Sequence, residues 1–140
     1  MTNLFELVEE IDKQFLEKYY EIIENREERL ELSKRDFYYL RIIFEAQKMN
    51  LTEFSKISKV SKLVGTKIIN KYLKKGYVIK EVSEEDKRFS YIQLSDELKN
   101  YLEKNQQIAN SIYESFLNVL DKNERGRLEK LLVKIKSNFQ

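Results

Sequence analysis

Cysteine, histidine, proline and tryptophan are all missing from this 140-residue chain. Without cysteine there is no disulfide framework, no thiolate zinc site and no thiol redox sensor. Without histidine the commonest metal ligand and the usual near-neutral proton carrier are gone. Carboxylates and tyrosines remain, but the carboxylate pairs lie on charge-rich helix faces with no evident nucleophile or metal partner. The chain is therefore expected to be no enzyme and to need no cofactor. Glycine occurs only at Gly65, Gly76 and Gly126, and with no proline to interrupt the backbone hydrogen bonds, long helices are free to form. No apolar run approaches the roughly 20 residues of a membrane helix. The first ten residues are acidic and lack the apolar stretch of a secretory leader, so a cytoplasmic protein without a membrane partner is expected.

What is present points to a polyanion. Hydrophobic residues make up 41 % of the chain, enough for a core, while charged residues reach 36 %, high for a compact monomer and consistent with long exposed helices. The net charge of +2 hides a strong asymmetry. Between Ser55 and Lys80 stand Lys56, Lys59, Lys62, Lys67, Lys71, Lys74, Lys75 and Lys80, with no Asp or Glu among them; this window carries +8 against the chain total of +2, so the remainder is −6. One basic face on an acidic body is the pattern expected of a nucleic-acid binder.

Helical periodicity runs through Leu4, Val8, Ile11, Phe15, Tyr19 and Ile22, with Leu7, Leu16 and Ile23 widening the stripe. Ser33 and Asp36 have capping-box spacing ahead of a second helix carrying Phe37, Leu40, Ile43 and Phe44 to about Lys48. Met49–Leu51 reads as a short extended piece, and Thr52 as the cap of a short helix with Phe54 and Ile57. After a break near Lys59–Val60, Ser61 caps a further helix with Val64, Ile68 and Tyr72 inward, ended by Gly76. Tyr77–Val82 and Phe89–Leu94 then read as a hairpin with a charged tip. Ser95 caps a long helix through Leu98, Leu102, Ile112 and Phe116, and the Asp121/Glu124 pair opens a last one with Leu128, Leu131, Leu132, Ile135 and Phe139 on one side. The apolar stripes of the first and last helices exceed what the intervening lobe can cover, so they are expected to cover each other across a two-fold axis.

The stretch from Leu51 to Leu94 carries the function. A short helix, a tight turn and a second helix make a helix-turn-helix, whose second helix presents its N-terminal residues to the major groove. Those residues are Ser61, Lys62, Leu63, Gly65, Thr66, Lys67, Asn70 and Lys71. Lysines neutralise phosphates and release counterions, while Ser, Thr and Asn hydrogen-bond base edges, Asn suiting adenine.

Here the chain resembles the MarR family of bacterial regulators. The resemblance rests on Leu51-Thr52-Glu53-Phe54-Ser55, Ser61 with Thr66, Leu73-Lys74-Lys75-Gly76-Tyr77-Val78, Asp86-Lys87-Arg88 and Ile92-Gln93-Leu94-Ser95, with flanking helices in matching order. Its lysine- and isoleucine-rich style is also similar to the staphylococcal SarA-type branch. The resemblance implies a mainly α fold with a small β-hairpin wing: a single 1–140 domain with dimerisation helices at 1–32 and 95–140 and a winged helix-turn-helix lobe at 33–94. It implies a homodimer on palindromic double-stranded DNA, probing the minor groove with Arg88, which Asp86 would hold and which Lys87 would flank. It further implies a small aromatic effector, for which Tyr19, Tyr20, Tyr38 and Tyr39 are the candidate lining; core and interface packing is the other reading of these tyrosines. Lys59 stands where many family members have glycine in the turn, and Gly65 where many have an apolar residue. The expected function is a sequence-specific transcription regulator acting as a repressor. The alternative is a winged-helix protein-interaction adaptor without specific DNA binding.

Overall fold

The computed structural model describes residues 3–26 and 30–139; the predicted domain spans also take in residues 1, 2, 27–29 and 140, which lie outside the described residues. Within the described residues the order is α1 (Leu4–Glu24), α2 (Lys34–Ala46), α3 (Leu51–Ser58), α4 (Lys62–Lys75), β1 (Val78–Val82), β2 (Ser90–Leu94), α5 (Asp96–Leu117) and α6 (Lys122–Ser137). This is a winged helix, as the sequence predicts.

Local chemistry sets most of the boundaries. Asn3, Ser33, Asn50, Ser61 and Asp121 cap α1, α2, α3, α4 and α6 with side-chain oxygens that accept otherwise unpaired backbone N–H groups. The boxes Ser33/Asp36 and Asp121/Glu124 are both complete. Ser95 Oγ accepts from the N–H of Leu98 at 3.2 Å, as its position predicts. The cap of α3 is Asn50 rather than Thr52: Asn50 Oδ1 accepts from the Glu53 N–H at 2.8 Å, and its Nδ2 donates to the Glu53 carboxylate at 2.7 Å. Gly76 closes α4 with φ +75°, a conformation that a side chain would strain.

The chain divides into two compact units, Glu28–Asn105 and Met1–Glu27 with Gln106–Gln140. The winged unit is thus wider than the 33–94 span. Leu30 and Leu32 pack on its core, the Leu30 N–H donates to Tyr101 Oη at 3.3 Å, and Leu98, Tyr101 and Leu102 of α5 are core residues. That core joins Leu40 and Ile43 of α2, Phe54 of α3, Ile69 and Tyr72 of α4, and Val78, Ile92 and Leu94 of the hairpin. Full burial of side chains this size contributes about 2 kcal/mol each. The strands pair antiparallel from Val78↔Leu94 to Val82↔Ser90. Met49, the expected extended piece, bridges Ile92 on the free edge of β2 through two backbone hydrogen bonds of 2.7 and 3.1 Å. Lys48 reinforces this corner, with Nζ 3.2 Å from the Glu81 carboxylate and 4.9 Å from the centre of the Tyr91 ring.

In the other unit Phe15 stacks on Tyr113 at 4.2 Å and on Tyr19 at 5.7 Å, and Arg125 grips both oxygens of Glu114. Large apolar side chains stay exposed on α1 (Leu4, Phe5, Val8) and along the α6 segment (Leu131, Val133, Ile135, Phe139). No described helix is long and apolar enough to cross a membrane.

Candidate nucleic-acid interface

The outer surface of α4 is two adjacent rows of residues four apart: Lys62, Thr66 and Asn70 in one, Leu63, Lys67 and Lys71 in the other. Helical spacing places each row along one face. All are exposed except the half-buried Thr66, and Ser61 at the cap is exposed too. The inner surface is Gly65, Ile69 and Tyr72, all buried. Of the predicted contact residues, Gly65 is therefore turned away from the exposed face, against Ser55 and Val60. Val64, expected inward, is exposed, because the small Gly65 and not the branched Val64 meets α3.

Two hydroxyls on this surface are already engaged. Ser61 Oγ accepts from the Val64 N–H at 3.1 Å and Thr66 Oγ1 donates to the Lys62 carbonyl at 2.8 Å. Lys71 sits at the α2 edge, with Nζ 3.5 Å from Asp36 Oδ1 and 5.8 Å from the Tyr72 ring centre. Asp36 is the buried hub there. It accepts from Tyr72 Oη at 2.7 Å and from the Ser33 N–H at 3.0 Å. Burial raises its pKa, but the hydrogen bonds from Tyr72 and Ser33 and the charge of Lys71 outweigh this and hold it at about 2. Burial and the adjoining carboxylate push the Tyr72 hydroxyl well above its ordinary range. Asp36 is legible in the sequence as a cap; its link to Tyr72, 36 residues away, carries no sequence signal.

Lys59, in the turn between α3 and α4, adopts the left-handed conformation (φ 59°, ψ 39°), and its N–H caps α3 on the Lys56 and Ser55 carbonyls. A side chain costs roughly 1–2 kcal/mol in this region. Lys59→Gly is expected to stabilise the fold by roughly 0.5–1 kcal/mol after allowing for the greater freedom of glycine in the unfolded chain. Thermal unfolding checks this: the midpoint should rise by about 2 °C, and an unchanged or lower midpoint contradicts it.

At the wing, the Asp86 carboxylate accepts from Arg88 Nε at 3.0 Å and Nη2 at 2.7 Å, and from the Arg88 N–H at 3.1 Å. Hydrogen bonds from the Arg88 side chain and backbone hold Asp86 below the usual carboxylate range. Arg88 is 85 % exposed, so the fork of its guanidinium is oriented yet open to solvent. Lys87 beside it is exposed.

The four tyrosines fall in different units. Tyr19 and Tyr20 pack together in the terminal-helix unit, while Tyr38 packs on Tyr39, and Tyr39 on Phe54, in the winged unit. Among the described residues no group of His, Cys, Asp or Glu is arranged to hold a metal ion.

Comparison with known proteins agrees with this architecture. The MarR family model matches residues 32–89. No curated protein matches the sequence. Among solved structures, S. aureus MepR bound to ethidium bromide superposes with a TM-score of 0.77 at 15 % identity, covering 99 % of this chain and 98 % of that one. A mutant S. aureus MepR bound to an oligodeoxyribonucleotide gives 0.65 at 15 % identity, over 100 % of both chains. A mutant MarR from E. coli complexed with operator DNA gives 0.56 at 20 % identity, over 96 % of this chain and 99 % of that one. The fold of this chain is the winged helix of these regulators.

Proposed function

We propose that this chain is a MarR-family transcription regulator that binds double-stranded DNA as a homodimer, repressing transcription from a palindromic operator. The observation that carries the reading is the pairing of an outward double row on α4, rich in lysine and free of acid, with an oriented, exposed Arg88 at the wing. Lys62, Lys67 and Lys71 supply phosphate contacts. Leu63, exposed on the same surface, supplies an apolar contact of the kind that reads a thymine methyl. Arg88 enters a minor groove, where narrow A·T-rich sequence concentrates negative potential. Oligodeoxyribonucleotide and operator DNA in the structures of similar fold support the same reading. The exposed apolar faces of α1 and α6 support the homodimer, since patches of this kind on an isolated chain mark interaction surfaces. An aromatic effector is consistent with the ethidium bound to MepR.

Fluorescence anisotropy on duplex DNA across a salt series tests the proposal. Affinity should fall steeply as salt rises, and Arg88→Ala should weaken binding about tenfold on an A·T-rich duplex, in line with the roughly 1–3 kcal/mol typical of a specific contact. Salt-independent binding, or an Arg88→Ala protein that binds as the parent does, favours the adaptor alternative.

A further inference from the structure

The wing and α4 do not close on each other. Between them lies a cleft of about 110 Å³ lined by Thr66, Asn70, Lys80, Ser90 and apolar residues of the core margin. Its origin is in the strand register. The inward row of β1 begins at the buried Val78 and continues to Lys80, which pairs with Ile92, and to Val82, which pairs with Ser90. Beyond Ile92 the hairpin has run past the core: Val82 is exposed, and Lys80 and Ser90 line the cleft opposite Thr66 and Asn70 of α4. No acidic residue lines the cleft. Thr66 has its hydroxyl proton on the Lys62 carbonyl and serves as wall. Among the described residues the side chains of Asn70, Lys80 and Ser90 have no hydrogen-bond or ion-pair partner, which leaves an amide, an ammonium and a hydroxyl to donate into one small space.

We propose that this cleft is a phosphodiester-binding subsite in which Lys80, Asn70 and Ser90 hold one backbone phosphate of the bound duplex. The proposal rests on the DNA-binding reading and sharpens it. If α4 occupies a major groove and Arg88 the neighbouring minor groove, the sugar-phosphate strand that separates those grooves must cross between α4 and the wing. The cleft is the space between them, and these three side chains all have donors to offer. A tetrahedral anion accepts from all three, whereas a base edge presents its own donors there without a partner. With Lys80 in contact, this phosphate fixes the angle between helix and wing and so sets the depth of Arg88 without reading sequence. Lys80 belongs to the basic window of the sequence, but its place on the inward row is visible only from the pairing of the strands.

The test is a cycle between protein and DNA. A duplex selected from random sequence by the full-length protein is prepared with a single uncharged methylphosphonate at each phosphate in turn, and its affinity for the parent protein and for Lys80→Met is measured. The parent should weaken about tenfold at one phosphate per half-site. Lys80→Met should weaken by a similar factor on the unmodified duplex, show no further drop at that phosphate, and stay sensitive at the others. Its salt dependence should be shallower by about 0.9 in log–log slope for each phosphate that it no longer neutralises. Lys80 is exposed, so an unchanged melting midpoint will show that the variant folds. A Lys80→Met protein that keeps parental affinity, or that remains equally sensitive at every phosphate, overturns the subsite while leaving the DNA reading intact. A parent protein that selects no duplex defeats the DNA reading and the subsite with it.

Discussion

Asp36→Ala lowers the melting midpoint by about 10 °C, the equivalent of roughly 3 kcal/mol in a chain of this length. The carboxylate is 12 % exposed and ties three things together. It closes the capping box of α2 through the Ser33 N–H, receives the hydroxyl of buried Tyr72, and faces the Lys71 ammonium. Alanine leaves the Tyr72 hydroxyl as a buried donor without an acceptor, which alone costs about 1–3 kcal/mol, and removes the cap, typically about 1 kcal/mol. Asp36→Asn keeps the shape and separates the charge from the contact. The pH dependence follows in sign. A carboxyl held at about 2, against 3.8 in an unfolded chain, adds stability that is fully present above about pH 4 and is lost as pH falls towards 2; the shift amounts to about 2 kcal/mol. The Tyr72 hydroxyl, raised in the folded state, adds stability that is present below its ordinary value near 10 and is lost at more alkaline pH. The parent should therefore show a plateau between these limits, and both variants should show a flatter acid limb. Acid unfolding monitored by circular dichroism checks this; an acid limb in Asp36→Asn as steep as the parent's removes Asp36 as its source. Because Lys71 and Tyr72 are on α4, loss of this hub also loosens the helix that carries the proposed DNA contacts.

How far such features can be read from the sequence depends on how local they are. Ser33 with Asp36, Ser61, Gly76, Ser95 and Asp121 with Glu124 act within one helical turn, so their residue types announce them. The hairpin is legible because its residues lose the helical period abruptly after Gly76. Thr52 reads as a cap because Thr and Asn are both good ones, and only the backbone of Asn50, extended at ψ 168°, decides between them. The rim of the winged unit extends beyond 33–94 because Leu30, Leu32 and Tyr101 join the core through contacts some 70 residues apart in sequence. The exposed rows of α4 follow from spacing; the side on which α4 meets α3 does not, since a periodicity of apolar residues passes over glycine. The bond of Tyr72 to Asp36, and the place of Lys80 and Asn70 on one cleft, are set by how elements dock, which no window along the chain contains.

That blind spot at Gly65 leads to the second large effect. Many members of the family that this chain resembles carry an apolar residue here, so Gly65→Leu restores a common pattern and adds helix propensity worth about 1 kcal/mol. It should nonetheless destabilise the protein by about 2 kcal/mol net, because the space is taken. A Cβ built on Gly65 overlaps Ser55 Oγ and lies 3.3 Å from Ser55 Cβ and 3.7 Å from a methyl of Val60. Overpacking of this kind costs roughly 1–3 kcal/mol, and a leucine side chain falls at the upper end or beyond. Ser55 Oγ is itself buried without a hydrogen-bond partner among the described residues. Ser55→Ala alone should therefore be neutral or stabilising by about 1 kcal/mol, and in that background Gly65→Ala should cost at least about 1 kcal/mol less than in the parent, a coupling typical of side chains in contact. Denaturant unfolding of the two single variants and the double variant measures this coupling. Strict additivity would mean that α3 and α4 do not meet at this point. A coupled result shows that the close approach of Ser55 to Gly65 sets the seat of α4, and it carries a functional corollary on the proposed reading: a bulky residue at 65 shifts α4 and its lysine rows from their seat on α3, so DNA affinity in Gly65→Leu should fall even at temperatures where the variant is fully folded.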